Sequence, residues 1–149
     1  MATSDRHDPY RSFKFRIEIN GVIQRCGFRE ASGLDSSNDS VDYREGDDKT
    51  CTIRKLPGLK KFSNITLKRG ITDDMDLWKW RKKVMDGKIS EARTHGAIIL
   101  MDDEGCDKAR WEFVEAWPTK WTGPTFNATA NEVAIDTLEI THEGLDRVS

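Results

Sequence analysis

Strict alternation of apolar and polar residues over 12–21, SFKFRIEING, is the pattern that most restricts the fold. Apolar residues occupy the odd positions from 13 to 19, and charged residues occupy the even positions between them. Because residues two apart in an extended chain face the same way, this segment predicts a strand with one buried face. Asn20 and Gly21 follow directly, and this dipeptide favours a type I′ turn since both residues tolerate positive φ. The sequence therefore predicts a hairpin whose second strand is 22–28, VIQRCGF.

Further short segments carry strand-like patterns. They are 51–56 up to the break at Pro57-Gly58, a strand around Ile65 and Leu67 that ends at Gly70, 97–101, 109–117 up to Pro118, and 131–140. In the last segment Val133 and Ile135 share one parity, whereas Leu138 and Ile140 take the other. A period of two cannot change phase without a bulge or a change of covered face, so we expect a long, bent strand there.

Only one segment predicts a helix, over residues 73–86. The residues 72–74, TDD, supply N-cap chemistry and place acids in the first turn, where they complement the helix dipole. An apolar stripe follows at Leu77, Trp78, Val84 and Met85. Mostly antiparallel strands with one helix predict a mainly β protein, either a sandwich or a barrel. We expect a flexible arm over 1–10 and a single domain over 11–149.

Composition excludes several function classes. Charged residues make up 34% of the 149 and the net charge is −2, which gives no whole-chain attraction to nucleic acid or anionic lipid. The chain has no apolar run of the roughly 18 residues that span a bilayer, and its first ten residues are polar, so neither membrane insertion nor a secretory signal is predicted. Cys26, Cys51 and Cys106 are odd in number and far apart, which indicates reduced thiols in a cytosolic setting.

Catalytic chemistry is not indicated by any motif. His7, His95 and His142 are isolated, and none has a second ligand three or four residues away, as a zinc site would favour. There is no nucleophile elbow, P-loop or dinucleotide-binding glycine pattern. The sequence therefore predicts a non-enzyme with no catalytic, cofactor-binding or metal-binding residues.

Charge is segregated along the chain. The segment 35–48 is acidic, and the segment 54–69 is basic. The two are either solvated loops or complementary patches on different surfaces, suited to head-to-tail association of subunits. On the second interpretation, the interface candidates are Asp42, Glu45, Asp47, Asp48, Arg54, Lys55, Lys60, Lys61, Lys68 and Arg69.

The tryptophans divide into two groups. Trp78 lies on the apolar stripe of the predicted helix, so core packing is expected for it. Trp80 is rotated by about 200° from Trp78, at roughly 100° per residue. Trp80 and Trp121 are therefore candidates either for the core or for a subunit contact, since exposed aromatic residues are enriched at protein interfaces.

Four segments together resemble the phage tail tube protein family typified by T4-like phages. They are YREGDDKTCTIRKLPGLKKFSNITLKRGITDD, LWKWR, EAWPTKWTGP and NEVAIDTLEITHEGLDR, in this order, and the likeness extends over roughly residues 10–147. Members occur in contractile phage tails and in phage-like contractile injection systems of bacteria. The combination and order of these segments are specific to that family.

The resemblance implies two packed antiparallel sheets closed into a barrel-like sandwich, flanked by one helix, as in the related ring protein of type VI secretion systems. It implies hexameric rings that stack into a hollow inner tube, with sheath, baseplate and terminator or cap proteins as partners and DNA or protein cargo in the lumen. Assembly is expected in the bacterial cytoplasm, and the mature form in a virion tail or an extracellular or cell-anchored injection system. The alternative is a baseplate-proximal or cap-proximal ring, or a cargo adaptor of the same machine.

Overall fold

A computed structural model describes residues 14–26, 28–44, 46, 53–71, 74–129 and 133–149. The arm predicted over 1–10 and the interface candidates Glu45, Asp47 and Asp48 lie outside these residues. Among the described residues, no helix is long and apolar enough to cross a membrane.

Ten strands and two helices make up the described chain. In order they are β1 Phe15–Ile19, β2 Ile23–Cys26, β3 Glu30–Ser32, β4 Ser36–Tyr43, β5 Arg54–Phe62, β6 Ile65–Gly70, α1 Asp76–Met85, α2 Ile89–Ala92, β7 Thr94–Met101, β8 Asp107–Thr122, β9 Ile135–Thr141 and β10 Gly144–Arg147. All strand pairs are antiparallel.

The long strand β8 is shared by two sheets. Its first part pairs with β7 on one side and with β10 on the other, and its last part, residues 117–122, pairs with β9. We call β2, β1, β7, the first part of β8 and β10 sheet 1, and β3, β6, β9 and the last part of β8 sheet 2. Strands β4 and β5 form a separate two-stranded ribbon.

The change of sheet occurs at Glu115. Its φ of 51° is the positive value of a left-handed residue, and the β7–β8 register shifts between Thr94 and Gly96 at this point. An extra residue of this kind bends a strand and increases its twist. The sequence predicted that this strand ends at Pro118, but β8 continues through it. Pro118 precedes a second register shift, between Pro118 and Lys120. Bulges are positions where a strand tolerates proline.

One hydrophobic core lies between the two sheets. It receives side chains from both sheets and from both helices: Ile17, Ile19, Ile98 and Phe113 from sheet 1, Ile65, Leu67, Leu138 and Ile140 from sheet 2, and Leu77, Trp80 and Ala92 from the helices. The predicted β sandwich is thus confirmed. The predicted barrel closure is wrong, since β2 and β3 end the order of the described sheet strands and do not pair with each other. The described residues also form two helices rather than one.

Helix α1 buries a face that is rotated from the predicted one and shares only Leu77 and the partly buried Val84 with it. Leu77 and Trp80, three residues apart, are each 2% exposed, whereas Trp78 is 37% and Met85 is 59% exposed. The face is set by α2, because the Trp80 indole Nε1–H donates a hydrogen bond to the Ala92 carbonyl oxygen. The interpretation of Trp80 as a subunit-contact residue is therefore wrong: its side chain is enclosed by its own subunit.

Three local predictions also need correction. The hairpin of β1 and β2 is confirmed, but its turn is not type I′, since Ile19 pairs with Ile23 and only Gly21, with φ of 75°, is left-handed. Strand β5 continues through Pro57 instead of breaking there, and it carries one extra residue between Pro57 and Lys60, where the β4–β5 register shifts. The change of phase after Val133 arises because β9 begins at Ile135, so the bent strand is β8 and not this one.

Candidate subunit interface

The ribbon of β4 and β5 extends sheet 2 beyond the body of the sandwich. Strand β4 begins four residues after the end of β3, and β5 ends three residues before the start of β6. Because β3 and β6 are themselves paired, the ribbon continues their hairpin. All eight residues of β4 are exposed, so the ribbon has little core of its own.

The ribbon exposes several large apolar side chains. Leu59 is 75% exposed, and Val41, Tyr43, Leu56 and the neighbouring Ile53 are between 42% and 49% exposed. A two-stranded hairpin is at best marginally stable in water unless another surface packs on it. Large exposed apolar groups that lie close together mark interaction sites. The ribbon is therefore the strongest candidate for contact with another molecule.

The acidic and basic segments face each other across this ribbon. The antiparallel register places Asp42 opposite Lys55, and their side chains form an ion pair. Lys61 Nζ lies 3.1 Å from a carboxylate oxygen of Asp39. The charge segregation seen along the sequence is thus partly cancelled within one hairpin, and the interpretation of two patches on separate surfaces is wrong for these pairs.

The remaining basic candidates have different environments. Arg54 and Lys60 are exposed on β5, and Lys60 Nζ lies 5.7 Å from the ring centre of Phe62. Lys68 pairs across the sheet with Glu30 at 3.6 Å. Arg69 is only 8% exposed, and its guanidinium donates to the Asp74 carbonyl oxygen at 3.3 Å. The interface assignment of Arg69 is therefore wrong, because its side chain is buried within its own subunit.

Trp78 and Trp121 form an edge-to-face pair, with ring centres 5.4 Å apart. Trp121 also packs against the core, so it lies at the border between the interior and the surface. Together with Ile71 and Met75, which are about half exposed, the two rings line a shallow groove. The candidate Trp121 is thus half-buried, whereas Trp78, assigned to the core from sequence, is its exposed partner.

The outer face of sheet 1 carries an ion-pair network that sequence reasoning missed. Both terminal nitrogens of Arg16 donate hydrogen bonds to the carboxylate oxygens of Asp107, at 2.5 and 2.7 Å. These hydrogen bonds raise the pKa of the Arg16 guanidinium. Arg16 also pairs with Glu18, and Arg110 joins Glu18 to Glu112. The alternating pattern along β1 and β8 can indicate that each of these residues lies on an outer face. Only the strand order shows that they are neighbours.

Two further polar sites are structural. Asp102 begins the β7–β8 turn, where its Oδ1 accepts hydrogen bonds from the backbone nitrogens of Glu104 at 3.0 Å and Cys106 at 2.8 Å. These bonds hold the pKa of the Asp102 carboxyl below its usual value. His142 is buried, and its ring nitrogens lie 3.2 Å from the Gly144 carbonyl oxygen and 3.0 Å from that of Ser63. The Asp102 carboxylate and the His142 ring are thus both engaged with backbone groups of the same subunit.

A protein-family model described as T4-like virus tail tube protein gp19 matches residues 11–146. No curated protein sequence matches the chain.

Solved structures share the fold over almost the whole chain. One such match is a chain in the sheath–tube complex of the extracellular contractile injection system PVC, in its extended state. The two chains share 26% sequence identity with a TM-score of 0.83, and the match covers 95% of this chain and 92% of that chain. The sixfold-symmetrised baseplate of the anti-feeding prophage has 21% identity and a TM-score of 0.82, with 96% and 97% covered. Hcp1 from Flavobacterium johnsoniae is more distant, with 15% identity, a TM-score of 0.54, and 89% and 93% covered.

Proposed function

The chain belongs to the T4-like virus tail tube protein family, as a structural subunit of an inner tail tube, and we propose that its hexameric rings stack end to end inside a contractile sheath. The observation that supports stacking is the exposed apolar ribbon, which requires a covering surface. The tube is then a rigid needle that sheath contraction drives through a target envelope, with DNA or protein cargo in its lumen. Sheath, baseplate and terminator proteins are the expected partners, and the bacterial cytoplasm is the expected place of assembly.

Ring closure is proposed to use the open edges of sheet 2. In the described pairings, β3 bonds only β6, and residues 117–122 of β8 bond only β9, so each end of this four-stranded sheet has a free edge. Two different edges on one subunit suit a head-to-tail contact, which closes into a ring when the rotation between subunits is 60°. Such pairing would also satisfy backbone groups that an open edge exposes.

Ring stacking is proposed to use the ribbon. Contact with the neighbouring ring would cover Leu59 and the other exposed apolar residues of β4 and β5. We further propose that the acidic residues Asp47 and Asp48, which lie outside the described residues, pair with Lys60 of the adjacent ring, although Asp39 and Asp42 of the same segment are paired within the subunit. Exposed ion pairs contribute only about 0.2–1 kcal/mol each, so apolar burial would supply most of the energy.

Electron microscopy of the purified protein tests this function. Wild-type protein is expected to form tubes, and Leu59→Asp is expected to abolish them while circular dichroism stays unchanged. Val148→Asp is the matched control, since Val148 is 47% exposed but lies at the C-terminus, outside the ribbon. Tubes of normal length from Leu59→Asp would contradict ribbon stacking. Wild-type rings that never stack would instead favour a baseplate-proximal or cap-proximal ring or an adaptor.

A further inference from the structure

We propose that the outer face of sheet 2 is the lumen wall of the tube, and that this wall is electrically neutral because its charges cancel within each subunit. The inference rests on the proposed tube function and specifies its cargo-facing surface. The face is carried by Thr66 and Lys68 of β6, Thr137 and Glu139 of β9, Glu30 of β3 and Lys120 of β8.

Strand register defines this face. Directly opposite residues of an antiparallel pair point to the same side of a sheet. Leu67 lies opposite Leu138, and both are buried in the core. Their neighbours Thr66 and Glu139, which also lie opposite each other, therefore point away from the core. The same alternation places Lys68 and Thr137 on the outer side.

Continuity distinguishes sheet 2 from sheet 1. A tube wall must run without interruption from one ring to the next. The ribbon prolongs β3 and β6 of sheet 2 beyond the body of the subunit, so sheet 2 is the layer that reaches an adjacent ring. Sheet 1 has no comparable extension among its described strands.

Side-chain size also favours sheet 2. Its outer face alternates threonine with charged residues, so short side chains separate the long ones. The outer face of sheet 1 is instead covered by the long side chains of Arg16, Glu18, Arg110 and Glu112. That network covers Ala97 and Ile99, which are 0% exposed, as expected for a packed outer surface rather than a channel lining.

Charges on the proposed wall are compensated locally. Lys68 lies 3.6 Å from Glu30, and Lys120 lies opposite Glu139 in the register. The Asn64 side-chain amide donates to Glu139 at 2.9 Å. The two acids and the two bases together give this face no net charge. Any residual charge would be multiplied six times in every ring.

Hydroxyl groups on the same face are also internally bonded. The Thr119 hydroxyl bonds the Thr141 hydroxyl, which in turn donates to the Asn64 side-chain oxygen at 3.2 Å. Polar groups that already bond one another offer few sites to passing cargo. A basic channel would hold a polyanion in a salt-dependent manner, whereas a neutral, self-bonded wall lets cargo of either charge slide. Apolar side chains, Ile135 and Trp117, lie towards the two ends of the face.

Accessibility of a single cysteine tests the position of the face. In a background with serine at 26, 51 and 106, Thr137→Cys is compared with Lys82→Cys, which lies on the exposed side of α1. In assembled tubes, Thr137→Cys should react with a small maleimide and resist a 5-kDa polymer maleimide, while Lys82→Cys reacts with both. Equal labelling of both sites by the polymer would overturn the proposal, and so would complete protection of Thr137→Cys from the small reagent. If the parent protein forms no tubes, the proposed function itself fails, which is a separate result.

Nuclease protection of a short single-stranded oligonucleotide tests neutrality. Wild-type tubes should retain little protected oligonucleotide at any salt concentration. Thr66→Lys with Thr137→Lys adds two positive charges per subunit to the wall, and retention should rise at least tenfold at low salt and vanish at high salt. The control, Asp86→Asn with Ser90→Lys, makes the same charge change on the exposed helical region and should protect no more than wild type. Strong salt-dependent protection by wild-type tubes, or no gain in the lysine variant, would refute a neutral lumen wall.

Discussion

The indole nitrogen of Trp80 lies 2.6 Å from the carbonyl oxygen of Ala92, inside the core of the subunit. This hydrogen bond joins α1 to α2, and it orients the large ring so that the rest of its surface packs against apolar neighbours. Both residues are at most 2% exposed, so water cannot replace either partner. The contact explains why α1 turns Trp80 inward and leaves Trp78 at the surface.

Replacing Trp80 should measure how much this hydrogen bond stabilises the fold. Trp80→Phe removes the donor and leaves a buried carbonyl without its partner, which typically costs about 1–3 kcal/mol. The free energy of unfolding in urea is expected to fall by at least that amount. Trp78→Phe is the control, and it should change stability by about 0.5 kcal/mol or less because the ring is partly exposed. Equal losses in the two variants would show that the hydrogen bond is unimportant.

Gly96 should tolerate no side chain. A Cβ at this position would lie 2.5 Å from the backbone oxygen of Glu18 and 2.6 Å from the ring of Phe113. Because the first obstacle is backbone of the adjacent strand, the sheet itself would have to move. Gly96→Ala is expected to lower the free energy of unfolding by about 1–3 kcal/mol, as overpacking does in other cores.

Gly123→Ala is the matched control for this clash, since a Cβ there meets nothing within 4 Å. Chemical denaturation should leave this variant at the stability of the wild type or slightly above it. A Gly96→Ala protein as stable as Gly123→Ala would mean that β1 and β7 are not packed as closely as described.

Acid should loosen the turn between β7 and β8. The pKa of Asp102 is lowered in the fold, so the unfolded chain binds more protons as the pH falls. The stabilisation is therefore fully present above the unfolded pKa of about 3.9 and disappears as the pH drops through the folded value. Asp102→Ala should lower the melting temperature at pH 6, and the difference from wild type should shrink below about pH 4.

Asp103→Ala tests whether this effect is specific. Asp103 is a neighbouring exposed acid, and its backbone oxygen accepts a hydrogen bond from Lys14 Nζ at 2.6 Å. Melting temperatures of this variant should follow the wild type at every pH. A difference between wild type and Asp102→Ala that stays constant down to pH 2 would contradict the assigned role of the carboxylate.

Local patterns predicted much of the fold. Alternation in 13–19 predicted β1, and the strand-like pattern at 97–101 predicted β7, because both patterns depend on the residues of the segment itself. The resemblance of long segments to a tail tube family predicted the sandwich and the function. These features depend on residues adjacent in the chain or on the order of motifs.

Features that depend on distant neighbours were not predictable. The bend at Glu115 has no glycine to indicate it, and the inward side of α1 is chosen by α2, twelve residues beyond Trp80. The acidic and basic segments suggested two surfaces, but the hairpin register placed Asp42 against Lys55. In each case the decisive partner lies elsewhere in the sequence, and only the tertiary arrangement identifies it.

The sharing of β8 by both sheets has a mechanical consequence. In a sandwich of two separate layers, shear can slide one layer over the other by breaking only side-chain contacts. Here a single covalent backbone crosses from sheet 1 to sheet 2 at Glu115, and hydrogen bonds to β7, β10 and β9 hold it along its length. Axial thrust on either sheet therefore reaches the other through peptide bonds, and the two layers must advance together.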